Sequence, residues 1–509
     1  MRRAARLTVA AALLLPSGGI SAQDANPRPA ANGPNVIVVM TDDQRNDDMA
    51  TMPKTNRLIG DAGVTFRHYY ASYPVCCPAR ATFFTGQYAQ NHRVRCLYPW
   101  CGGGYGNLNQ RNYMPVWLED AGYVTAHMGK FLNGYGKEPR TPMRPRGWTE
   151  WDGLIDSSTY RMWGYSIFEN DHRVTYGRVV SRHPPARLYQ TDVLTNKAVR
   201  FIDERARGGR PFFLSLAYLA PHHESGATQK KTGQLVRAAP RHRGRYAHLP
   251  LPKSHNYNEH DVSDKPPFLG RFNRPITPKR EVAITKRFHE RWESLLAVDD
   301  GVERIVRELR QQGVLDNTYI IFTSDNGYMQ GEHRIREGKM LPYDASTHLP
   351  LLIRGPGIPR GRSTNALVGD VDLAATIMDI TPARPGHVLD GRSVMPYAHN
   401  THLQNGRPFL HTTAGQGSHG RTNTREGGAR GTEPRVPAWS AVRTNSWLYV
   451  SYRSGHSELY RLRPDPYEMN SLAGDPRFRT KRNTLRRILG DLERCRGRSC
   501  DRLASVSVR

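Results

Sequence analysis

Short apolar segments alternate with longer amphipathic ones along most of this chain, and that alternation limits the folds it can adopt. Residues 35–40, Asn-Val-Ile-Val-Val-Met, are typical of a strand that is buried on both faces. Residues 191–205 carry apolar side chains at helical spacing, and residues 212–218 return to a strand pattern. We therefore expect an α/β fold in which helices cover a largely parallel sheet. Ligands of such sheets bind at the carboxyl ends of the strands.

The remaining segments extend this pattern and divide the chain. Further strands are predicted at residues 64–70, 124–128, 319–323 and 349–354, and further helices at 51–62, 114–121 and 281–312. Residues 372–380 and 390–393 are expected to close the large domain. A Pro-, His- and Arg-rich insertion at residues 223–277 is expected to be functional or disordered. After a flexible stretch at 421–435, strands are predicted at 441–443, 447–452 and 458–462, and a helix at 480–493. We expect a large domain at residues 34–400 and a small α+β domain at residues 436–509.

The amino terminus predicts export. Three arginines precede an apolar run at residues 7–15, and small residues follow up to Ala22, so residues 1–22 are expected to form a signal peptide. Residues 23–33 are expected to form a disordered leader. Because the apolar run is too short to cross a bilayer, we expect a secreted or periplasmic protein without a membrane anchor.

The chain is strongly basic. Its 73 lysines and arginines exceed its 46 acidic residues, which gives a formal net charge of +27. Such a charge attracts polyanions. We find no zinc-finger, helix-turn-helix or RNA-binding signature, so nucleic acid is not the expected partner. The charge favours an anionic substrate without identifying it.

Six cysteines fall into three pairs along the chain. Cys96 and Cys101 enclose four residues, as do Cys495 and Cys500, and an exported protein can oxidise both pairs to local disulfides. Zinc binding is the competing interpretation, but the histidines are not spaced as ligands around these pairs. The third pair consists of Cys76 and its neighbour in sequence. Adjacent cysteines are poor disulfide partners, which leaves Cys76 available for chemistry.

The segment 76–80, Cys-Cys-Pro-Ala-Arg, combines three features of a reactive site. Pro78 suits the first turn of a helix, because its missing N–H would have no helical partner there. The other N–H groups at a helix start attract anions, and Arg80 adds a permanent cation within one turn. A buried cysteine before an ordinary helix would account for the same residues.

Oxygen-bearing side chains follow two of the predicted strands. Asp42 and Asp43 come directly after the first strand, and Asp325 and Asn326 follow the strand at residues 319–323. Carboxylate and amide oxygens are the ligands that Ca²⁺ or Mg²⁺ prefers, in contrast to zinc. Each pair alone could instead cap a helix or a turn. Because both pairs follow strands of one sheet, we favour a metal site.

Three further polar residues could line the same edge of the sheet. Lys130 follows the strand at residues 124–128, His222 follows the strand at 212–218, and Lys339 lies beyond the Asp325 loop. A single lysine or histidine after a strand is usually a solvated surface residue. Each of these three signals is therefore weak by itself.

Taken together, these motifs resemble those of formylglycine-dependent sulfatases. Residues 76–80 resemble the signature Cys-x-Pro-x-Arg, and only Cys76 satisfies it, because alanines stand where Cys77 would need proline and arginine. Other matching segments, in family order, are residues 41–44, 129–130, 221–222, 324–327, 331–334 and 338–339. Residues 258–266 and the tail at 458–473 resemble the branch that contains N-acetylglucosamine-6-sulfatases and bacterial arylsulfatases.

The resemblance implies an alkaline-phosphatase-like α/β fold with a small C-terminal sheet domain. It also implies that a formylglycine-generating enzyme oxidises Cys76 to an aldehyde, and that one Ca²⁺ is bound per chain, with Mg²⁺ as the alternative. The implied metal ligands are Asp42, Asp43, modified Cys76, Asp325 and Asn326. In the implied mechanism the hydrated aldehyde attacks sulfur, and His222 protonates the leaving oxygen. The residues implied to supply positive charge are Arg80, Lys130 and Lys339.

Two positions depart from the family pattern. Leu132 stands where many sulfatases have a histidine two residues after the lysine, so Asn133 could take over part of its role. His348 stands where an arginine is common, which could alter domain packing. Neither change removes a residue that we assign to the chemistry.

Three functions are compatible with these motifs. The first is hydrolysis of sulfate esters, either aryl sulfates or 6-O-sulfated glucosamine. A phosphodiesterase or phosphonate monoester hydrolase on the same fold is the second, because phosphate and sulfate esters share their geometry. The third is non-catalytic binding of a sulfated polysaccharide through the basic surface. The complete set of motif residues argues against this third function.

Overall fold

The computed structural model describes residues 33–137, 141–178, 185–224, 228, 236–270, 274–404, 406–415, 421–423 and 435–502. The predicted signal peptide and residues 23–32 of the predicted leader lie outside the described residues. So do residues 424–434, which form most of the stretch predicted to be flexible.

Eighteen strands are present in the described part of the chain. In chain order they are β1 Asn35–Thr41, β2 Val64–Phe66, β3 Tyr69–Tyr70, β4 Val124–Gly129, β5 Glu150–Leu154, β6 Tyr165–Glu169, β7 His172–Tyr176, β8 Phe212–Ala217, β9 Thr318–Ser324, β10 Leu351–Arg354, β11 Arg362–Thr364, β12 Val368–Gly369, β13 Leu410–Ala414, β14 Arg421–Asn423, β15 Arg435–Pro437, β16 Trp439–Arg443, β17 Trp447–Tyr452 and β18 Ser457–Arg461.

The α-helices vary widely in length. They are Pro53–Thr55, Cys76–Thr85, Ala89–His92, Met114–Asp120, Gln190–Ala206, Pro267–Gly270, Pro278–Gln311, Asp344–Thr347, Asp372–Asp379, Met395–His399, Arg479–Leu492 and Arg498–Arg502, and a π-helical turn spans Asn56–Gly60. Residues 51–62, predicted as one helix, thus divide into a short α-helix and this π-helical turn.

Ten strands form one large sheet in the order β11-β2-β10-β9-β1-β8-β4-β5-β6-β7. The five central strands, β9 to β5, are mutually parallel, as predicted. On one side β10 runs antiparallel to β9, and on the other side β6 runs antiparallel to β5 and pairs in turn with an antiparallel β7. The central carboxyl ends therefore meet at one edge, where a site can form.

Helices cover both faces of this sheet. Along β1, Val36, Val38 and Met40 join one apolar core, whereas Ile37 and Val39 join a second core on the opposite face. Successive strand residues point to opposite faces, so the two cores account for the unbroken apolar run. The long helix Pro278–Gln311 packs in the second core, through side chains such as Leu295 and Val302.

A smaller antiparallel sheet has the order β13-β16-β17-β18, with the helix Arg479–Leu492 packed against it. This agrees with the predicted α+β tail. Its first strand, β13, lies before residue 436, so the sheet draws on an earlier part of the chain than the predicted small domain. Residues 64–70, predicted as one strand, divide into β2 in the large sheet and β3, which pairs with β12.

Candidate active site

The carboxyl ends of four central strands bring the predicted polar residues together. Asp42 and Asp43 follow β1, Lys130 follows β4, and Asp325 follows β9. His222 lies five residues beyond β8. At the end of β4, Gly129 has φ 111°, and a Cβ there would lie 1.9 Å from the Ala217 carbonyl oxygen. Only glycine permits this close approach of the two strands, which sets the position of Lys130.

Cys76 is the first residue of a wholly buried helix that ends at Thr85. The preceding residue, Val75, is extended, and Pro78 lies in the first turn, as predicted. Gly86 ends the helix with φ 63°, in the left-handed region that favours glycine. The start of this helix therefore faces the edge of the sheet where the carboxylates gather, since the Cys76 sulfur lies beside Asp42.

Cys76 and three other side chains form a compact group. Ligand atoms of Asp42, Asp43, Cys76 and His222 all lie within 4.8 Å of one another, and all four residues are buried. The Cys76 sulfur lies 3.4 Å from Asp42 Oδ1. Asp325 joins the group through its Oδ1, which accepts the Asp43 backbone N–H at 3.2 Å. The structure therefore brings together the predicted nucleophile, three predicted carboxylates and His222.

Asn326 provides a test of whether these residues suit a metal. Its Nδ2 donates to Asp43 Oδ1 at 2.5 Å, while its Oδ1 is buried without a hydrogen-bond partner among the described residues. A buried oxygen that accepts no hydrogen bond costs free energy of folding unless a cation or a water molecule contacts it. The carboxylates beside it are the hard ligands that calcium prefers. This donor set is compatible with such a cation.

Three cations surround the acidic group, all of them buried. The Lys339 Nζ lies 2.6 Å from Asp43 Oδ1 and 2.9 Å from the Cys76 sulfur. Lys130 Nζ lies 2.5 Å from Asp42 Oδ2. Arg80 Nε donates to Asp325 Oδ2 at 2.8 Å, and its Nη1 donates to the Lys130 carbonyl oxygen at 2.5 Å. The predicted cations therefore all contact the carboxylates, and Lys339 also contacts the cysteine.

These charges give two neighbouring carboxyl groups, those of Asp42 and Asp325, different pKa values. Burial alone would raise the pKa of Asp42, but the positive charges of Lys130 and its neighbours outweigh burial and hold that pKa well below its usual range. For Asp325, burial and repulsion by Asp42 prevail over Arg80 and raise the pKa to about 6. A bound cation would relieve that repulsion.

His222 presents one ring nitrogen to the group. Its Nδ1 lies 2.7 Å from the His223 carbonyl oxygen, which can only accept, so Nδ1 carries a hydrogen. Its Nε2 faces Asp43 Oδ2 at 3.6 Å. Nε2 is therefore the ring nitrogen that faces the acidic group.

Tyr160 is a site residue that the sequence patterns missed. Its hydroxyl accepts a hydrogen bond from Asn133 Nδ2 at 2.7 Å, and Lys130 Nζ lies 4.7 Å from its ring centroid. Its ring also packs against His222, with centroids 4.9 Å apart. Tyr160 therefore links Asn133, the residue considered as a substitute for the usual histidine, to two predicted catalytic groups. It lies in the loop between β5 and β6, where no motif marks it.

Both expected local disulfides are present. Cys96 and Cys101 are bonded with a Cα separation of 6.0 Å, and Cys495 and Cys500 with one of 5.0 Å. All six cysteines belong to the described residues, and Cys76 takes part in neither bridge.

The comparisons with known proteins identify the class of protein to which this site belongs. A family model described as Sulfatase matches residues 34–383, and the chain therefore belongs to the sulfatase family, a family of sulfuric ester hydrolases. Human N-acetylglucosamine-6-sulfatase is 31% identical over 495 residues, covering 92% of this chain and 86% of the relative. The SULF-1 extracellular sulfatase homologue of Drosophila melanogaster is 34% identical over 71% of this chain, but the match spans only 31% of that protein.

Solved structures identify the fold as the alkaline-phosphatase-like sulfatase fold. A protein solved with its substrate D-glucosamine-2-N,6-O-disulfate has a TM-score of 0.74 at 20% identity, covering 94% of this chain and 100% of the other. The phosphonate monoester hydrolase of Silicibacter pomeroyi has a TM-score of 0.66 at 22% identity, covering 92% and 96%. At such identities these likenesses establish the fold alone.

We searched the helices of the described ranges for a membrane-spanning segment. None of the helices there combines the length and the apolar composition that crossing a bilayer requires.

Proposed function

We propose that this protein is an exported sulfatase that hydrolyses sulfate esters with a formylglycine formed at Cys76 and a bound Ca²⁺. The observation that carries the proposal is the position of Cys76. Its sulfur lies at a buried helix start, 3.4 Å from Asp42 Oδ1 and 2.9 Å from Lys339 Nζ. A nucleophile there would meet both a cation site and fixed positive charge.

Modification of Cys76 accounts for the chemistry better than a thiol does. A hydrated aldehyde has two hydroxyl groups: one bonds to sulfur as the ester S–O bond breaks, and the other later loses its proton and expels sulfate. A thiol has no second hydroxyl for that last step. Cys76 alone has proline at the second and arginine at the fourth following position, so we expect a formylglycine-generating enzyme to act on this residue.

The proposed metal ligands are Asp42, Asp43, Asp325, Asn326 and the modified Cys76. Calcium would draw charge from the sulfate oxygens and favour ionisation of the attacking hydroxyl. With its thiol intact, Cys76 joins His222 and two aspartates in a mixed sulfur, nitrogen and oxygen donor set of the kind that zinc accepts. Replacing the sulfur by oxygen leaves the His222 nitrogen beside an otherwise oxygen-only donor set, which favours calcium.

The surrounding side chains have separate proposed roles. Arg80, Lys130 and Lys339 would stabilise the negative charge of the transferring sulfate group. His222 Nε2, which faces the site, would give its proton to the departing alcohol oxygen. Because both lysines contact carboxylates directly, they are held in place before substrate arrives.

The proposed substrate is a 6-O-sulfated glucosamine in an anionic polysaccharide. The relatives include N-acetylglucosamine-6-sulfatase, and residues 258–266 resemble that branch. In the described structure, Glu259 Oε2 lies 2.6 Å from His333 Nδ1, which ties this segment to the loop that leads to Lys339.

Hydrolysis of phosphonate or phosphodiester substrates is the second candidate. The fold shared with the phosphonate monoester hydrolase favours it. We expect kcat/KM to be higher for p-nitrophenyl sulfate than for bis-p-nitrophenyl phosphate, and Cys76→Ala should abolish the sulfatase rate. The reverse preference would assign the protein to phosphoryl transfer. Binding of sulfated glycan without turnover of either ester would indicate a non-catalytic protein.

A further inference from the structure

A loop closed by the Cys96–Cys101 disulfide presents two aromatic side chains to solvent. Trp100 is 66% exposed and Tyr98 is 38% exposed. Their rings are stacked, with centroids 6.0 Å apart and planes inclined by 14°. No other tryptophan in the described part of the chain is among the exposed large hydrophobic residues. Exposed aromatic surface of this kind often marks a binding site.

The backbone holds this pair rigidly. Besides the disulfide, the Tyr98 carbonyl oxygen accepts the N–H groups of Cys101 at 3.2 Å and Gly103 at 3.0 Å. A Cβ at Gly103 would lie 1.8 Å from the Cys96 carbonyl oxygen, so the turn requires glycine. A rigid platform loses little conformational entropy when a ligand binds.

Both ends of the loop are tied to segments that form the active site. The Tyr73 hydroxyl, three residues before Cys76, donates to the Arg95 carbonyl oxygen at 2.5 Å. The Tyr105 N–H donates to the carbonyl oxygen of Asn133, three residues after Lys130, at 2.8 Å. Five residues of chain reach at most about 18 Å, so the Trp100 backbone lies within that distance of Tyr105. Three further residues, at most about 11 Å of chain, separate Asn133 from Lys130, and an oligosaccharide of several sugars can span the combined interval.

The chemistry of the pair differs from the basic character of the chain as a whole, whose formal net charge is +27. The face of an aromatic ring carries partial negative charge, which repels sulfate and attracts weakly polarised C–H groups. A pyranose ring presents such C–H groups on one face. We propose that Tyr98 and Trp100 form a carbohydrate subsite, which stacks against an unsulfated sugar face of the glycan whose sulfated residue occupies the active site. This inference rests on the proposed function and adds a second contact to it.

Kinetics with two substrates test the subsite. Trp100→Ala should raise KM for a 6-O-sulfated heparan hexasaccharide roughly tenfold and leave p-nitrophenyl sulfate unaffected, because only the longer substrate reaches the ring. Trp100→Phe should retain most of the affinity, and Val282→Ala, at a residue 72% exposed on the long helix, serves as the control. Equal kinetics of Trp100→Ala and wild type on the hexasaccharide would overturn the subsite while leaving sulfatase activity intact.

A binding measurement tests the subsite without turnover. The unlabelled hexasaccharide should protect wild-type tryptophan fluorescence from acrylamide quenching, and this protection should disappear in Trp100→Ala. Equal protection in both proteins, or none in wild type, would refute the subsite. If sulfate release fails for every ester tested but protection depends on Trp100, the proposed function is wrong and the glycan subsite stands.

Discussion

Tyr160 contacts Asn133, Lys130 and His222 together, and the consequences of replacing it follow from these contacts. Tyr160→Phe keeps the ring but loses the acceptor for Asn133, so we expect kcat/KM to fall roughly two- to tenfold. Tyr160→Leu also removes the aromatic face beside Lys130 and should cost roughly ten- to a hundredfold.

Substrates with different leaving groups show whether Tyr160 acts by orienting His222 or only by supporting the surrounding structure. If Tyr160 orients this acid, Tyr160→Leu should slow alkyl sulfates, which need protonation, more than p-nitrophenyl sulfate, which does not. Equal losses on both substrates would show that Tyr160 does not act through His222.

Asp325 offers a direct test of the metal site. Asp325→Ala should lower bound calcium, measured by elemental analysis, and should reduce kcat on the order of 100-fold or more. The reason is that Asp325 is both a proposed ligand and the partner of Arg80 Nε at 2.8 Å. Asp316→Ala removes an exposed carboxylate and is the control. Full occupancy by zinc, or full activity of metal-free enzyme, would contradict the assignment.

At the level of elements, the sequence predicted the strands that are buried on both faces. β1, β4, β8 and β9 are wholly buried, so their apolar character is visible without the structure. The β5–β7 meander was missed because β5 contains Asp152 and Gly153, and β7 is largely exposed. Since Tyr160 lies in the first turn of that meander, the site residue was missed with it.

Contacts between residues that are distant in sequence also could not be predicted. The structure shows what accompanies the histidine that departs from the family pattern: His348 stacks on Tyr70, with centroids 4.8 Å apart. Arg443 of β16 lies over the same ring at 4.1 Å and pairs with Glu468 at 3.2 Å. An arginine from the small sheet thus supplies a cation near this position. Only the folded chain brings it there.

A buried carboxyl group joins the small sheet to the large domain. Glu458 of β18 accepts hydrogen bonds from the hydroxyls of Tyr343, Tyr452 and Tyr460 at 2.8, 2.9 and 3.1 Å. Burial outweighs these bonds and raises its pKa from 4.5 to about 7. The carboxyl is therefore neutral in the folded protein at mildly acidic pH.

This raised pKa predicts the direction of a stability change. Between pH 4.5 and 7 the unfolded chain ionises Glu458 while the folded protein keeps its proton, so this residue's contribution to stability falls by roughly 3 kcal/mol as pH rises. Glu458→Gln removes that dependence, and its thermal unfolding temperature should fall less across the range than that of wild type. Parallel curves for the two proteins would refute the prediction.

For the whole molecule, the net charge of +27 predicts salt-sensitive recognition of polyanions. We expect kcat/KM for a sulfated glucosamine oligosaccharide to fall steeply with ionic strength, because the Debye length shrinks from about 10 Å at 0.1 M to about 3 Å at 1 M. An aryl sulfate, which meets only the sulfate pocket, should respond weakly. An equal salt response would point to a general arylsulfatase.

The proposed hydrolysis depends on the chemical state of Cys76. Mass spectrometry of the tryptic peptide that contains it, taken from active enzyme, tests that state directly. We predict that Cys76 has lost its sulfur and gained an aldehyde that reacts with hydrazides, while Cys77 retains its thiol. Fully active enzyme in which Cys76 carries an intact thiol would contradict the mechanism proposed for this protein.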